Sequence, residues 1–175
     1  MRYLRRLLWF ITVKLFSVAF ISALLIIVFY MAMNVTNILI LLNDGMHERA
    51  RVITGLSQDD SMLVKFFTEE CLLSDYETQL ALTKSGAYSD YEVRSIDYRL
   101  DITWIWSWPW DSTANATASE SIPSIDGRII PARRDAIIAQ RGEAAANPPP
   151  WPDPRYRITL ARMNGRWIIS GLLTE

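Results

Sequence analysis

The chain is poor in the residues most reactions need. It has one cysteine and one histidine among 175 residues. A single Cys71 excludes an internal disulfide, so the fold must hold by packing. Cys71 fits a helical apolar pattern as a small hydrophobe, with no histidine or basic cluster near it in sequence to make a thiolate. The lone His47 leaves no basis for a His/Cys metal site or paired histidine acid–base work. Charge of one sign is also missing: 18 basic and 19 acidic side chains give a net charge of -1, which removes the electrostatic case for nucleic acid. No glycine-rich phosphate loop and no nucleophile elbow is present. The sequence therefore nominates no catalytic, cofactor-binding or metal-ligating residue, and the expectation is a protein that is not an enzyme.

What is abundant is apolar length. From Leu7 to Leu42 the only charge is Lys14. The uncharged stretch Leu15–Met33 rises about 28 Å as a helix, against a hydrocarbon core of roughly 30 Å. Residues 15–33 are thus expected to contact a lipid bilayer as a single-pass anchor. A cleaved signal peptide is the competing reading, but the apolar region is too long and no A-x-A site follows it. Arg2, Arg5, Arg6 and Lys14 precede the span, while Asn43, Asp44 and a mixed His47, Glu48, Arg49, Arg51 follow. That asymmetry places the N-terminus in the cytoplasm and the remainder outside the cell membrane, with Arg49 and Arg51 weighing the other way.

The whole run would span about 54 Å, more than a bilayer needs. Val28, Met31, Val35, Ile38 and Leu42 keep three- and four-residue steps, the seam of a coiled coil, so a homodimer through a stalk is one expectation. A plain apolar helix satisfies the same spacing. The divisions read from the sequence are a basic N-terminus (1–14), a span and stalk start (15–42), a juxtamembrane linker or stalk (43–56) and one outer domain (57–175), with a loop excursion at 131–154.

The outer domain opens with a helical pattern. Ser57 and Asp60 resemble a capping box, and Met62, Leu63, Phe66, Phe67, Leu72 and Leu73 recur at helical spacing. Ile96, Tyr98, Leu100, Ile102, Trp104 and Trp106 then alternate with Asp97, Arg99, Asp101 and Thr103, which predicts a long strand with one buried and one wet face. Val93 is out of phase and predicts a bulge near Arg94–Ser95. Phase assigns Trp104 and Trp106 to the core face with Tyr98, making these three the candidate lining of a pocket. Trp108 and Trp110 flank Pro109; they either pack over the sheet edge or form an exposed contact with a partner or a membrane surface. A second strand is expected over Asp111–Ile122, and a turn at Ser124–Gly127. Pro131 opens a short helix, and 147–154 is an extended proline-rich stretch whose Trp151 either docks a partner or belongs to a stiff connector. Asn164-Gly165 between two alternating segments predicts a closing hairpin.

An amphipathic helix, a long bent strand, and strands ending in Tyr156-Arg157-Ile158-Thr159-Leu160 and Asn164-Gly165-Arg166-Trp167-Ile168-Ile169 resemble the NTF2-like (cystatin-like) α+β family over roughly residues 57–175. The resemblance implies a curved antiparallel sheet wrapped on a helix around a conical pocket. It also implies a place among the membrane-anchored bacterial members that act as outer-face assembly parts. The expected function is a non-catalytic, extracytoplasmic interaction module whose unidentified membrane or envelope partner meets Trp108, Trp110 and Trp151. The alternatives are a small-ligand binder using Tyr98, Trp104 and Trp106, and an enzyme of the same family resting on Asp97, Asp101, Tyr98 and Glu120. Because Asp97 and Asp101 fall opposite the tryptophan face, the enzyme reading needs a further bulge.

Overall fold

The computed structural model describes residues 2–57 and 59–175. It is an α+β chain: one long apolar helix, two antiparallel sheets and three short helices. Helix α1 runs without interruption from Arg2 to Ile53. The portion from Trp9 onward is long and apolar enough to cross a membrane. Large side chains from Trp9 to Tyr30 are exposed all round it, including Phe20, Leu24 and Phe29. Beyond Met33 the helix changes character. Asn34, Ile38, Leu42, Met46, Arg49, Ala50 and Ile53 are buried, in steps of one helical turn.

That buried stripe crosses a four-stranded sheet. Strands β2 (Arg99–Trp106), β3 (Thr113–Ser121), β5 (Arg155–Met163) and β6 (Arg166–Thr174) lie in the order β2-β3-β5-β6, every neighbour antiparallel. Ala114, Ala116 and Ala118 of β3 face the helix and leave room for it. Tyr156, Ile158 and Leu160 of β5 and Trp167 and Ile169 of β6 complete the same core. Each such apolar side chain contributes about 1.5–3 kcal/mol when fully buried.

The remaining elements close the ends of this core. A 3₁₀ turn at Leu63–Lys65 leads through Phe67, which bridges to Ile169 on the edge of β6. Helix α2 (Glu69–Ser74) is capped by Thr68, whose hydroxyl accepts from the Cys71 amide at 3.2 Å. Helix α3 (Tyr76–Leu82) follows. Strand β1 (Tyr91–Ile96) pairs with β4 (Ile125–Ile129) in a second, two-stranded sheet. Helix α4 (Arg134–Arg141) packs Ile137 against Tyr91, Val93 and Ile129 of that pair.

Several expectations meet a different outcome. Residues 43–56, expected as a linker or stalk, are helix through Ile53, and Met46, Arg49, Ala50, Val52 and Ile53 are buried in the domain. A boundary at 57 would cut the central helix from its own sheet. Gly45 is a point of close approach, because a Cβ there would lie 3.0 Å from the Phe66 Cβ. Ile38 and Leu42 are fully enclosed by the chain's own sheet, so the outer part of the coiled-coil seam is already occupied. Ser57 caps no helix; the single predicted helix is instead the turn at Leu63–Lys65 followed by α2 and α3. Ser124–Gly127 contributes to strand β4 rather than only a turn. The bulge near Arg94 is present, between Val93 and Ser95. The hairpin is present too, with Asn164 and Gly165 both at positive φ, 51° and 80°, as a tight two-residue turn requires.

Candidate functional site

The candidate binding residues are sorted by one irregularity in β2. Leu100 and Ile102 face the core opposite Glu120 and Ala118. The pairing then slips between Ile102 and Trp104. Ile105 takes the next inward position, opposite Ala116, and Trp104 and Trp106 pair with Thr117 and Asn115 on the outer face. One extra residue reverses the phase of a strand. Trp104 and Trp106 are therefore exposed, not core residues. Tyr98 remains inside, packed near Ala50 and Ile122. The three do not line a common pocket. Trp151 is likewise removed from any partner surface: it is buried and stacks on Tyr88 with ring centroids 6.0 Å apart. The proline-rich stretch is a packed connector, and Pro148 closes over Gly127 so tightly that a Cβ there would meet its Cγ at 3.0 Å. Trp108 and Trp110 are exposed and stacked on each other at 5.3 Å.

Two polar knots join α1 to the sheet. At the end nearer the exposed half of the helix, Asn34 is buried. Its carbonyl accepts from Arg162 Nη2 and Trp167 Nε1, both at 2.7 Å, and its amide donates to Ser107 Oγ at 3.0 Å. Arg162 also donates to the Pro109 carbonyl at 3.0 Å and lies over the Trp167 ring. Helix, hairpin and the loop at 107–112 are thus held at one point.

At the other end Arg49 enters the core from the helix. Its Nε and Nη2 donate to both oxygens of Asp75, at 2.6 and 2.9 Å. Nη1 donates to the Tyr156 hydroxyl at 3.2 Å, and Nη2 reaches Glu77 at 3.3 Å. Thr78 adds a short hydrogen bond to Asp75. Burial works against the Arg49 charge, but the Asp75 hydrogen bonds and charge outweigh it and raise its pKa. The same pair opposes the burial of Asp75 and lowers its pKa.

Glu120 of β3 is the unusual member. It is fully buried, 3.8 Å from Arg49 Nη1, and among the described residues neither carboxylate oxygen has a partner in hydrogen-bond geometry. Burial pushes its carboxyl up to about 7, opposed by Arg49 and by the nearby Tyr156 and Tyr98 hydroxyls. Burial also raises Tyr98 and Tyr156, Tyr98 with further help from the Glu120 charge. His47 stacks on Tyr98 at 4.8 Å, so it belongs to the domain interior and not to a stalk. Of the residues nominated for an enzyme, Tyr98 and Glu120 come together. Asp97 and Asp101 are exposed, and Asp97 pairs with Arg99 at 2.7 Å.

This arrangement fits a structural latch. Arg49 is committed to Asp75 and Tyr156, and Glu120 presents no surface to solvent. The described residues include no group of three or more metal-ligating side chains. A cleft of about 350 Å³ lies elsewhere, between Ile53, Leu82, Lys84, Tyr88 and Tyr91. Cys71 is buried, and burial pushes its thiol up to about 11, against reactivity. Glu120 was nominated from sequence only for the enzyme alternative, and neither Asn34 nor Arg49 was nominated as a site residue. A signal existed: Arg49 interrupts the stripe Ile38, Leu42, Met46, Ile53 in phase, and Glu120 follows Ala114, Ala116 and Ala118 in phase. Comparison of the chain with family models, with curated proteins and with solved structures gave no match.

Proposed function

We propose that the chain is a single-pass, membrane-anchored and non-catalytic interaction or assembly module. Its N-terminus is cytoplasmic and its α+β domain stands on the outer face of a bacterial cell membrane. The observation that supports this most is the continuity of α1. The exposed apolar half and the half that forms the domain core are one helix without a break. A domain built this way is held at a set height and direction, which suits a part of an assembly. Arg2, Arg5 and Arg6 support the orientation. Arg49, which weighed against it from sequence, is spent inside the fold.

The NTF2-like reading belongs to the same proposal, since a helix lying across an antiparallel sheet is in keeping with it. The partner, an unidentified membrane or envelope protein, would meet the outer sheet face or the edge of β2. That edge pairs with no other strand among the described residues, and an open edge can accept an added strand.

The test is made on the full chain in its native membrane. Alkaline extraction should leave it in the membrane pellet, and protease added to intact cells should remove the domain. A photo-crosslinker at Asn115, exposed on the outer face, should capture one reproducible partner. Release into the alkaline supernatant overturns the anchor. Capture of nothing but a second copy overturns the assembly role and favours a ligand role for the cleft beside Tyr88.

A further inference from the structure

Four tryptophans that avoid the core gather at one end of the domain. Trp104 and Trp106 are 50% and 47% exposed, and Trp108 and Trp110 are 39% and 66% exposed. The last three form a contiguous array. Trp106 meets Trp108 edge-on at 5.5 Å, and Trp108 stacks on Trp110. The backbone beneath is fastened by Asn34 to Ser107, by Arg162 to Pro109 and by Asp111 to the Trp108 amide.

Asn34 sets the height of this array. It is the first amide side chain in the uncharged run that follows Lys14. Strand β5 runs down the helix, from Tyr156 beside Arg49 to Arg162 beside Asn34. The hairpin turn that follows Arg162 therefore projects past Asn34 toward the exposed half of α1. It brings exposed Met163 and Arg166 with it. The Trp108 carbonyl, 3.5 Å from the Asn34 amide, thus lies beside the start of the exposed half of α1, with the exposed Trp106, Trp110 and Met163 at the same end of the domain.

Length selects the occupant. From Lys14 to Asn34 the helix rises about 30 Å, the thickness of a hydrocarbon core. With Lys14 at one boundary, Asn34 and the tryptophans lie at the other. A tryptophan has an apolar ring and one N–H donor, which suits the headgroup–acyl boundary. Arg166 adds a cation suited to lipid phosphate. The geometry points to a membrane-seating platform: Trp106, Trp108, Trp110 and the turn after Arg162 rest in the outer headgroup–acyl boundary of the bilayer that α1 crosses. This rests on the membrane-spanning reading above. Helix and platform together fix the tilt and rotation of the domain, which a single helix could not do.

Full-length protein carrying Trp9→Phe is placed in vesicles of phosphatidylcholine and phosphatidylglycerol, with bromine either just below the headgroup or near the chain ends. Shallow bromine should remove about half of the tryptophan emission, and deep bromine much less, as an interfacial belt requires. Trp110→Ser, at a mostly exposed position, should reduce the shallow quenching and leave thermal unfolding unchanged. Leu24→Trp in the same background lies midway between Lys14 and Asn34 and should be quenched by deep bromine. If Leu24→Trp is quenched and the rim is not, the platform is overturned while the span stands. If neither is quenched, the span fails and the platform with it. Shallow quenching unaltered by Trp110→Ser, or a rim unquenched because a second copy covers it, also overturns the platform.

Discussion

The two halves of α1 are made of much the same residues and meet opposite fates. Leu24, Leu25 and Ile26 are exposed on every side, whereas Ile38 and Leu42 are fully buried. The difference lies in what interrupts the apolar sequence. Between Leu15 and Met33 only the small hydroxyls of Ser17 and Ser22 do, and no charge or amide distinguishes one face from another. After Met33, Asn37, Asn43, Asp44 and Glu48 mark an outer face, and a stripe turns inward at one-turn intervals. A helix uniform around its axis suits lipid, and the same helix with a polar face suits a sheet. The polar knots at Asn34 and Arg49 mark the two ends of the sheet-bound half.

The comparison can be broken most severely by cutting it. A chain beginning at residue 57 lacks Ile38, Leu42, Met46 and Val52 of the core. It should show no cooperative unfolding and no dispersed amide spectrum, while a chain beginning at Asn34 should show both. Next in size is Arg49→Ala, which leaves Asp75 buried without its partner. Denaturant unfolding should register a loss of about 3–5 kcal/mol, and Arg49→Lys should recover only part of it because a single ammonium cannot bond both oxygens.

A matched pair sharpens the contrast between the halves. Leu42→Ala should cost the domain about 2–5 kcal/mol. Leu25→Ala, in the exposed half, should stay within about 0.5 kcal/mol. Equal effects from both would mean that the halves share one environment.

The last comparison concerns pH. Glu120 titrates near 7 in the fold, above its ordinary value of 4.5. The folded state therefore holds this proton more tightly than the unfolded chain. Its stabilising contribution is complete below pH 4.5, declines as pH rises from about 4.5 to about 7, and is gone above that. Asp75, lowered by Arg49, acts in the opposite sense and loses its contribution as pH falls through the acid range. Glu120→Gln should abolish the decline toward pH 7 in urea midpoints measured across that range, without altering the acid limb.

Much of the architecture was legible because it is local. The Asn164-Gly165 turn, the bulge after Val93 and the α+β composition all follow from short patterns. The phase of Trp104 and Trp106 was not legible, since one unpaired residue after Ile102 reverses it and Thr103 looks like any strand residue. The role of residues 34–53 was hidden for another reason. Gly45 and the charges beside it look like a break, and only the approach of Phe66 explains the glycine. The buried cluster draws on Arg49, Asp75, Glu120 and Tyr156, so spacing alone could not assemble it. Its two in-phase charges, Arg49 and Glu120, were nevertheless readable as polar groups aimed at a core.

Amide hydrogen exchange across α1, in the full chain held in a lipid nanodisc, tests the continuity of the helix most directly. If the helix is both span and core, amides from Asn34 to Ile53 exchange as slowly as those of β3 and β5, with no fast segment between the two halves. Rapid exchange over residues 43–56, with the sheet still protected, would contradict it and restore a domain carried on a flexible linker.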